Sequence, residues 1–65
     1  MRKYIDNLMQ SLKDGGYIFN SMRGSNNNIV IAMKKVKKNA LIKIDEDKKI
    51  VTMTINGVIK DIKTF

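Results

Sequence analysis

The sequence contains no cysteine, histidine, tryptophan or proline. Without Cys there is no disulfide and no thiolate nucleophile. Without His there is no imidazole general base, and without either residue no zinc set of the usual ligands. Carboxylates are the remaining side chains best suited to metal-assisted chemistry, and there are six of them. No apolar run approaches the ~20 residues of a spanning helix, so no membrane segment is expected. Near the start, Asp6, Asn7 and Gln10 interrupt any apolar region behind Arg2 and Lys3, unlike a secretory leader. A cytoplasmic protein is the resulting expectation.

What is present is a strong basic excess, thirteen Lys and Arg against six Asp and Glu, or +7 on 65 residues. A hydrophobic fraction of 43% marks a folding chain rather than a disordered tail. Residues 1–65 read as one domain, and a chain of this size buries only about 60% of its unfolded surface. Stability must therefore come from tight packing or self-association. The charge is uneven. Residues 1–33 hold four basic and two acidic groups, giving +2, and residues 34–65 hold nine and four, giving +5. Such a field attracts polyanions: nucleic acid first, then acidic protein surfaces or anionic lipid. The competing explanation is a Lys-, Ile- and Asn-rich composition of the kind AT-rich coding produces.

Residues 2–14 read as an amphipathic helix, with Ile5, Leu8, Met9 and Leu12 at three- and four-residue steps and Tyr4 and Met1 widening the stripe. Gly15-Gly16 ends it. The period then changes to two. Tyr17–Arg23 is predicted as the first strand, residues 24–28 as a turn or loop and Ile29–Val36 as the second strand. A turn through Lys37-Lys38-Asn39 leads to Ala40–Asp45. After a turn at Glu46-Asp47-Lys48, Lys49–Ile55 and Val58–Thr64 form a hairpin around Asn56-Gly57, the strongest local signal present. The fold class is α+β: an N-terminal amphipathic helix followed by a curved antiparallel sheet of four to five strands.

A regular hairpin opposes Ile55 to Val58, Met53 to Lys60 and Val51 to Ile62, leaving Asp61 and Lys63 on the other face. Other segments are apolar on both faces, as in Ile29-Val30-Ile31 and Leu41-Ile42. One helix, ~20 Å long at 1.5 Å per residue, covers one side only. A second copy of the chain is the simplest cover, so a homo-oligomer is expected, with the exposed aromatic Phe65 in weak support. A sheet coiling shut on itself is the alternative.

Lys34, Lys35, Lys37 and Lys38 cluster at a strand end and turn, where each ammonium reaches solvent and can contact phosphate. Arg23, Lys43, Lys60 and Lys63 extend the candidate nucleic-acid-binding set along the sheet. The bland reading is a charged edge that deters aggregation. Tyr17 and Phe19 alternate onto one face with Ser21 and Arg23, forming either a stacking platform for bases or rings packed under the helix. With only two Arg, bidentate guanine readout is disfavoured, and backbone-dominated, sequence-tolerant binding follows. Asp14, beside Gly15-Gly16 at the negative end of the helix, is the candidate catalytic residue. It would hold Mg²⁺ with phosphate oxygens, or else it is a solvated turn residue. No other cofactor and no resident metal site is expected, and Asp45-Glu46-Asp47 fits no EF-hand spacing.

The short, Lys-rich, cysteine-free pattern, with Leu12-Lys13-Asp14-Gly15-Gly16-Tyr17 at its helix-to-strand junction, resembles the small anti-CRISPR proteins of phages. Among them it is similar to those with the fold of the single-stranded-DNA-binding transcriptional coactivators, although those proteins carry the helix after the strands. The resemblance implies a DNA-associated acidic residue near a turn. The expected function is sequence-tolerant DNA binding by a homo-oligomeric phage or mobile-element protein that counters CRISPR-Cas defence. The alternatives are a protein-directed inhibitor of a CRISPR nuclease such as Cas9 and a metal-dependent DNA nickase centred on Asp14.

Overall fold

The computed structural model describes all residues, Met1–Phe65. Helix α1 (Arg2–Asp14) is followed by β1 (Ile18–Ser25), β2 (Asn28–Lys35), β3 (Lys38–Asp45), β4 (Ile50–Ile55) and β5 (Val58–Thr64). The strands form one antiparallel sheet in the order β1-β2-β3-β4-β5. The sheet does not close on itself, and β1 and β5 are its edges.

The helix stops where its sequence says it should. Tyr17 N–H donates to the Leu12 carbonyl at 2.9 Å and Gly16 N–H to the Lys13 carbonyl at 3.0 Å. Gly16 sits at φ 94, a conformation costly to residues with a Cβ. These two bonds are the Schellman termination, and its accompanying apolar contact is supplied by Leu12 and Tyr17, both buried. The turn therefore returns the chain beneath the helix it has just left.

Leu8 and Leu12 pack with Tyr17 on Ile31, Met33, Ala40, Ile42, Ile44 and Val51, the whole buried core. Tyr4, Ile5 and Met9 border it. Cross-strand pairs Ile31–Ile42, Met33–Ala40, Ile42–Met53 and Ile44–Val51 place these side chains on one face, because opposed residues of an antiparallel pair point the same way. No polar or charged residue is buried.

One expectation is narrowed and two need correction. The turn or loop expected at 24–28 is a two-residue turn, Asn26-Asn27. Ser25 already pairs with Asn28, and Asn26 takes φ 52, which Asn tolerates better than most residues. The turn predicted at 37–39 is likewise Val36-Lys37, with Lys35 opposite Lys38. The largest correction concerns β5. Ile55 opposes Val58 as expected, but a bulge at Lys60 then shifts the register, so Met53 opposes Asp61, Thr52 opposes Ile62 and Val51 opposes Lys63. One extra residue reverses the faces of everything beyond it. Ile62 joins the open face, while Asp61 and Lys63 turn toward the helix.

Those two residues find partners there. Phe65 meets Tyr4 edge-on, ring centroids 5.6 Å apart, and Lys63 Nζ lies 5.4 Å from the Tyr4 ring and 5.6 Å from Phe65. Hydrogen bonding to the Asp61 carboxylate, partial burial and the charge of that carboxylate together raise the Tyr4 phenol to about 12. Phe65 thus finds an aromatic neighbour within the chain while staying 42% exposed.

Candidate nucleic-acid interface

The β2–β3 hairpin carries the basic cluster to one end of the molecule. Its two-residue turn requires positive φ at Lys37, observed at 61. Lys35 and Lys38 are directly opposed, and Lys34 stands opposite Asn39. Opposed like charges weaken a strand pair. Fold stability therefore does not account for four lysines at one hairpin tip.

They are not equivalent. Lys35 Nζ donates to the Gly15 carbonyl at 2.8 Å and lies 5.7 Å from the Tyr17 ring centroid. It places a cation at the helix C-terminus, where carbonyls lack partners. Its stem runs past the helix-ending turn, with Cε 3.4 Å from where a Cβ on Gly16 would stand. Lys35 is occupied in joining helix to sheet. The other side-chain hydrogen bonds join Tyr4 to Asp61, Gln10 to Asp14, Asn27 to Asp47, Asn39 to Asn56 and Lys48 to Asp45. Lys34, Lys37 and Lys38 take part in none and are exposed.

The neighbouring β4–β5 turn is fixed against this tip by reciprocal bonds. Asn39 N–H donates to Asn56 Oδ1 at 2.9 Å, and Asn56 N–H donates to the Asn39 carbonyl at 2.8 Å. Asn56 and Gly57 adopt φ 51 and 81, as the predicted hairpin type demands. At the other end of β3, about 24 Å away by strand rise, lie Asp45, Glu46 and Asp47. Here Asp45 Oδ1 accepts from Lys48 N–H at 3.0 Å, and Asp47 Oδ1 accepts from Asn27 Nδ2 at 2.7 Å. The Asn-rich stretch and the acidic turn therefore bind each other. The chain has a basic pole and, in residues 45–49, a pole of −1 from three acids and two lysines.

The remaining candidates divide. Arg23 and Lys43 flank Val30 on the face away from the helix, and register adds Lys34 to that face. Lys60 occupies the bulge on edge strand β5, and Lys63 lies on the helix side. The aromatic pair is separated from Arg23 by a second bulge, at Asn20: Phe19 opposes Met33, whereas Ser21 opposes Ala32 and Arg23 opposes Val30. Tyr17 is buried against the helix at 8% exposure, and Phe19 is 51% exposed at the sheet margin. The expected platform of Tyr17, Phe19 and Arg23 on one face is not formed.

Asp14 lies exposed at the end of α1, accepting from Gln10 Nε2 at 3.0 Å. No group of three or more acidic, His or Cys side chains converges anywhere. No helix is long and apolar enough to cross a membrane. The cluster around Tyr4, Asp61, Lys63 and Phe65 had no sequence signal, since it depends on the Lys60 bulge. The separate role of Lys35 does follow its position, the last residue of β2 beside a helix end. Compared with known proteins, the chain matches no family, no curated protein and no solved structure.

Proposed function

We propose that this chain is a sequence-tolerant nucleic-acid-binding module that grips the phosphate backbone with the tip of the β2–β3 hairpin. The observation that carries the reading is the set of three unengaged ammonium groups, Lys34, Lys37 and Lys38, held at one hairpin end. Such groups displace condensed counterions when they meet phosphates. Arg23 and Lys43 extend the positive field along the open face, and Lys35 positions the hairpin against the helix rather than contacting phosphate. The open face bears no aromatic ring on which a base could stack, and bidentate base readout would rest on Arg23 alone. Affinity is therefore drawn from the backbone, and base identity matters little.

The test is titration of a labelled DNA oligonucleotide at low and high salt. Affinity should fall as salt rises, and affinity indifferent to salt would remove phosphate contact as the mechanism. Retention of a nuclease by the chain in the absence of DNA would favour protein-directed inhibition through the same lysines.

A further inference from the structure

The sheet face opposite the helix is uncovered. Ile18, Ile59 and Ile62 are 69%, 60% and 58% exposed, and register places all three on this face beside half-buried Val30, Leu41 and Ile50. The chain exposes 4707 Å². A compact monomer of its 7.5 kDa is expected to expose about 4,250 Å². The surplus, roughly 450 Å² by the same scaling, is comparable to one sheet face. Five strands at ~4.8 Å spacing and about seven residues at ~3.3 Å each cover roughly 550 Å².

We propose that a second copy of this chain covers the face, giving a dimer packed sheet on sheet. Burying the face on both copies removes about 1,100 Å², just above the ~1,000 Å² that a specific interface needs. The edges offer a poorer route, because both edge strands carry a bulge, at Asn20 and Lys60, which blunts strand addition. The face is also self-complementary, as a two-fold interface must be. It presents Ile59 as a projecting group and, between Val30, Ile50 and Ile62, a hollow of about 410 Å³. Lys43 and Asp45 at the rim of that hollow supply both signs of charge, while Arg23 and Lys34 elsewhere on the face leave it with a basic excess that opposes pairing at low salt. Lys37 and Lys38 lie at the hairpin end, beyond the covered area, and stay available to phosphate, whereas Lys34, Arg23 and Lys43 stand on the face itself and are covered when two copies pair. The inference does not rest on nucleic-acid binding, competes with it for Arg23, Lys34 and Lys43 on the open face, and has the opposite salt response. Salt screens repulsion between two +7 chains and so favours pairing, whereas it weakens phosphate contact.

Sedimentation equilibrium without nucleic acid tests it. The expected species has twice the 7.5 kDa chain mass and persists or strengthens at high salt. A monomer at every concentration and salt overturns the proposal. The double variant Ile59→Glu, Ile62→Glu should be monomeric with an unchanged circular dichroism spectrum, and a dimer in that variant overturns the proposal. Should the variant unfold, Thr54→Cys decides, since the chain has no cysteine of its own. Maleimide labelling at residue 54 should slow about tenfold once nine-tenths of chains are paired, while a Val36→Cys control in the turn stays fast. Labelling independent of concentration, or protection appearing only with added oligonucleotide or anionic vesicles, overturns it.

Discussion

Lys35→Met separates the structural lysine of the hairpin tip from those assigned to phosphate. The substitution keeps most of the aliphatic stem against Gly16 and removes the ammonium that donates to the Gly15 carbonyl at 2.8 Å and faces Tyr17 at 5.7 Å. A cation at a helix C-terminus contributes about 0.3–1 kcal/mol, and an exposed cation–π contact about 0.5–1 kcal/mol. Both arise from one exposed ammonium, so they overlap, and its removal also relieves repulsion from Lys38, worth a few tenths of a kcal/mol or more. The net loss is therefore about 0.5–1 kcal/mol, or a Tm lowered by roughly 2–8 °C for a domain this small. Lys38→Met removes the same repulsion with no compensating contact to lose, so its Tm should stay level or rise slightly. Parallel thermal melts followed by circular dichroism read the difference. Equal melting temperatures for the two variants would refute the assignment of Lys35 to the helix end. In oligonucleotide titrations the order reverses, with Lys38→Met the more damaging.

Three further outcomes follow from particular contacts. Gly16→Ala should cost about 1–2 kcal/mol, because φ 94 strains any residue with a Cβ, the methyl itself meeting Lys35 only at ordinary contact distance; urea unfolding measures it, and a smaller loss than an exposed Ala substitution elsewhere would contradict the Schellman account. Tyr4 has its folded pKa raised to about 12 against about 10 unfolded, so its contribution is fully present below pH 10 and fades as pH rises through 12. The phenolate absorbance lost in Tyr4→Phe should accordingly have its midpoint near 12, and a midpoint at the ordinary tyrosine value would remove the Asp61 contact. Supercoiled plasmid incubated with the chain and Mg²⁺ should remain supercoiled; relaxation by the wild type that Asp14→Ala abolishes would establish nicking instead.

The sequence is most legible where structure is local. Apolar spacing over residues 2–14 and the Gly15-Gly16 pair define α1 to the residue, because helix periodicity and termination are both short-range. Asn56-Gly57 likewise announces its hairpin. The two bulges are not legible. Asn20 and Lys60 have no residue signature, and each is settled by which side chains the helix can cover. From those two positions come the errors about faces: Arg23 parts from Tyr17 and Phe19, and Ile62 exchanges sides with Asp61 and Lys63. The site was half visible for a related reason. Four lysines at a turn can be seen in the sequence, but the commitment of Lys35 to Gly15 requires knowing that a hairpin end meets a helix end.

The central claim is phosphate contact by Lys34, Lys37 and Lys38, and the salt slope of DNA affinity in wild type and in the triple variant with Gln at all three positions tests it most directly. Each phosphate contact contributes about 0.9 to the slope of log affinity against log salt on duplex DNA and about 0.7 on single strands. The account expects the triple variant to fold normally and its slope to be shallower by about 2–3, with affinity reduced alike on unrelated sequences. An unchanged slope, or a loss confined to one sequence, would contradict it.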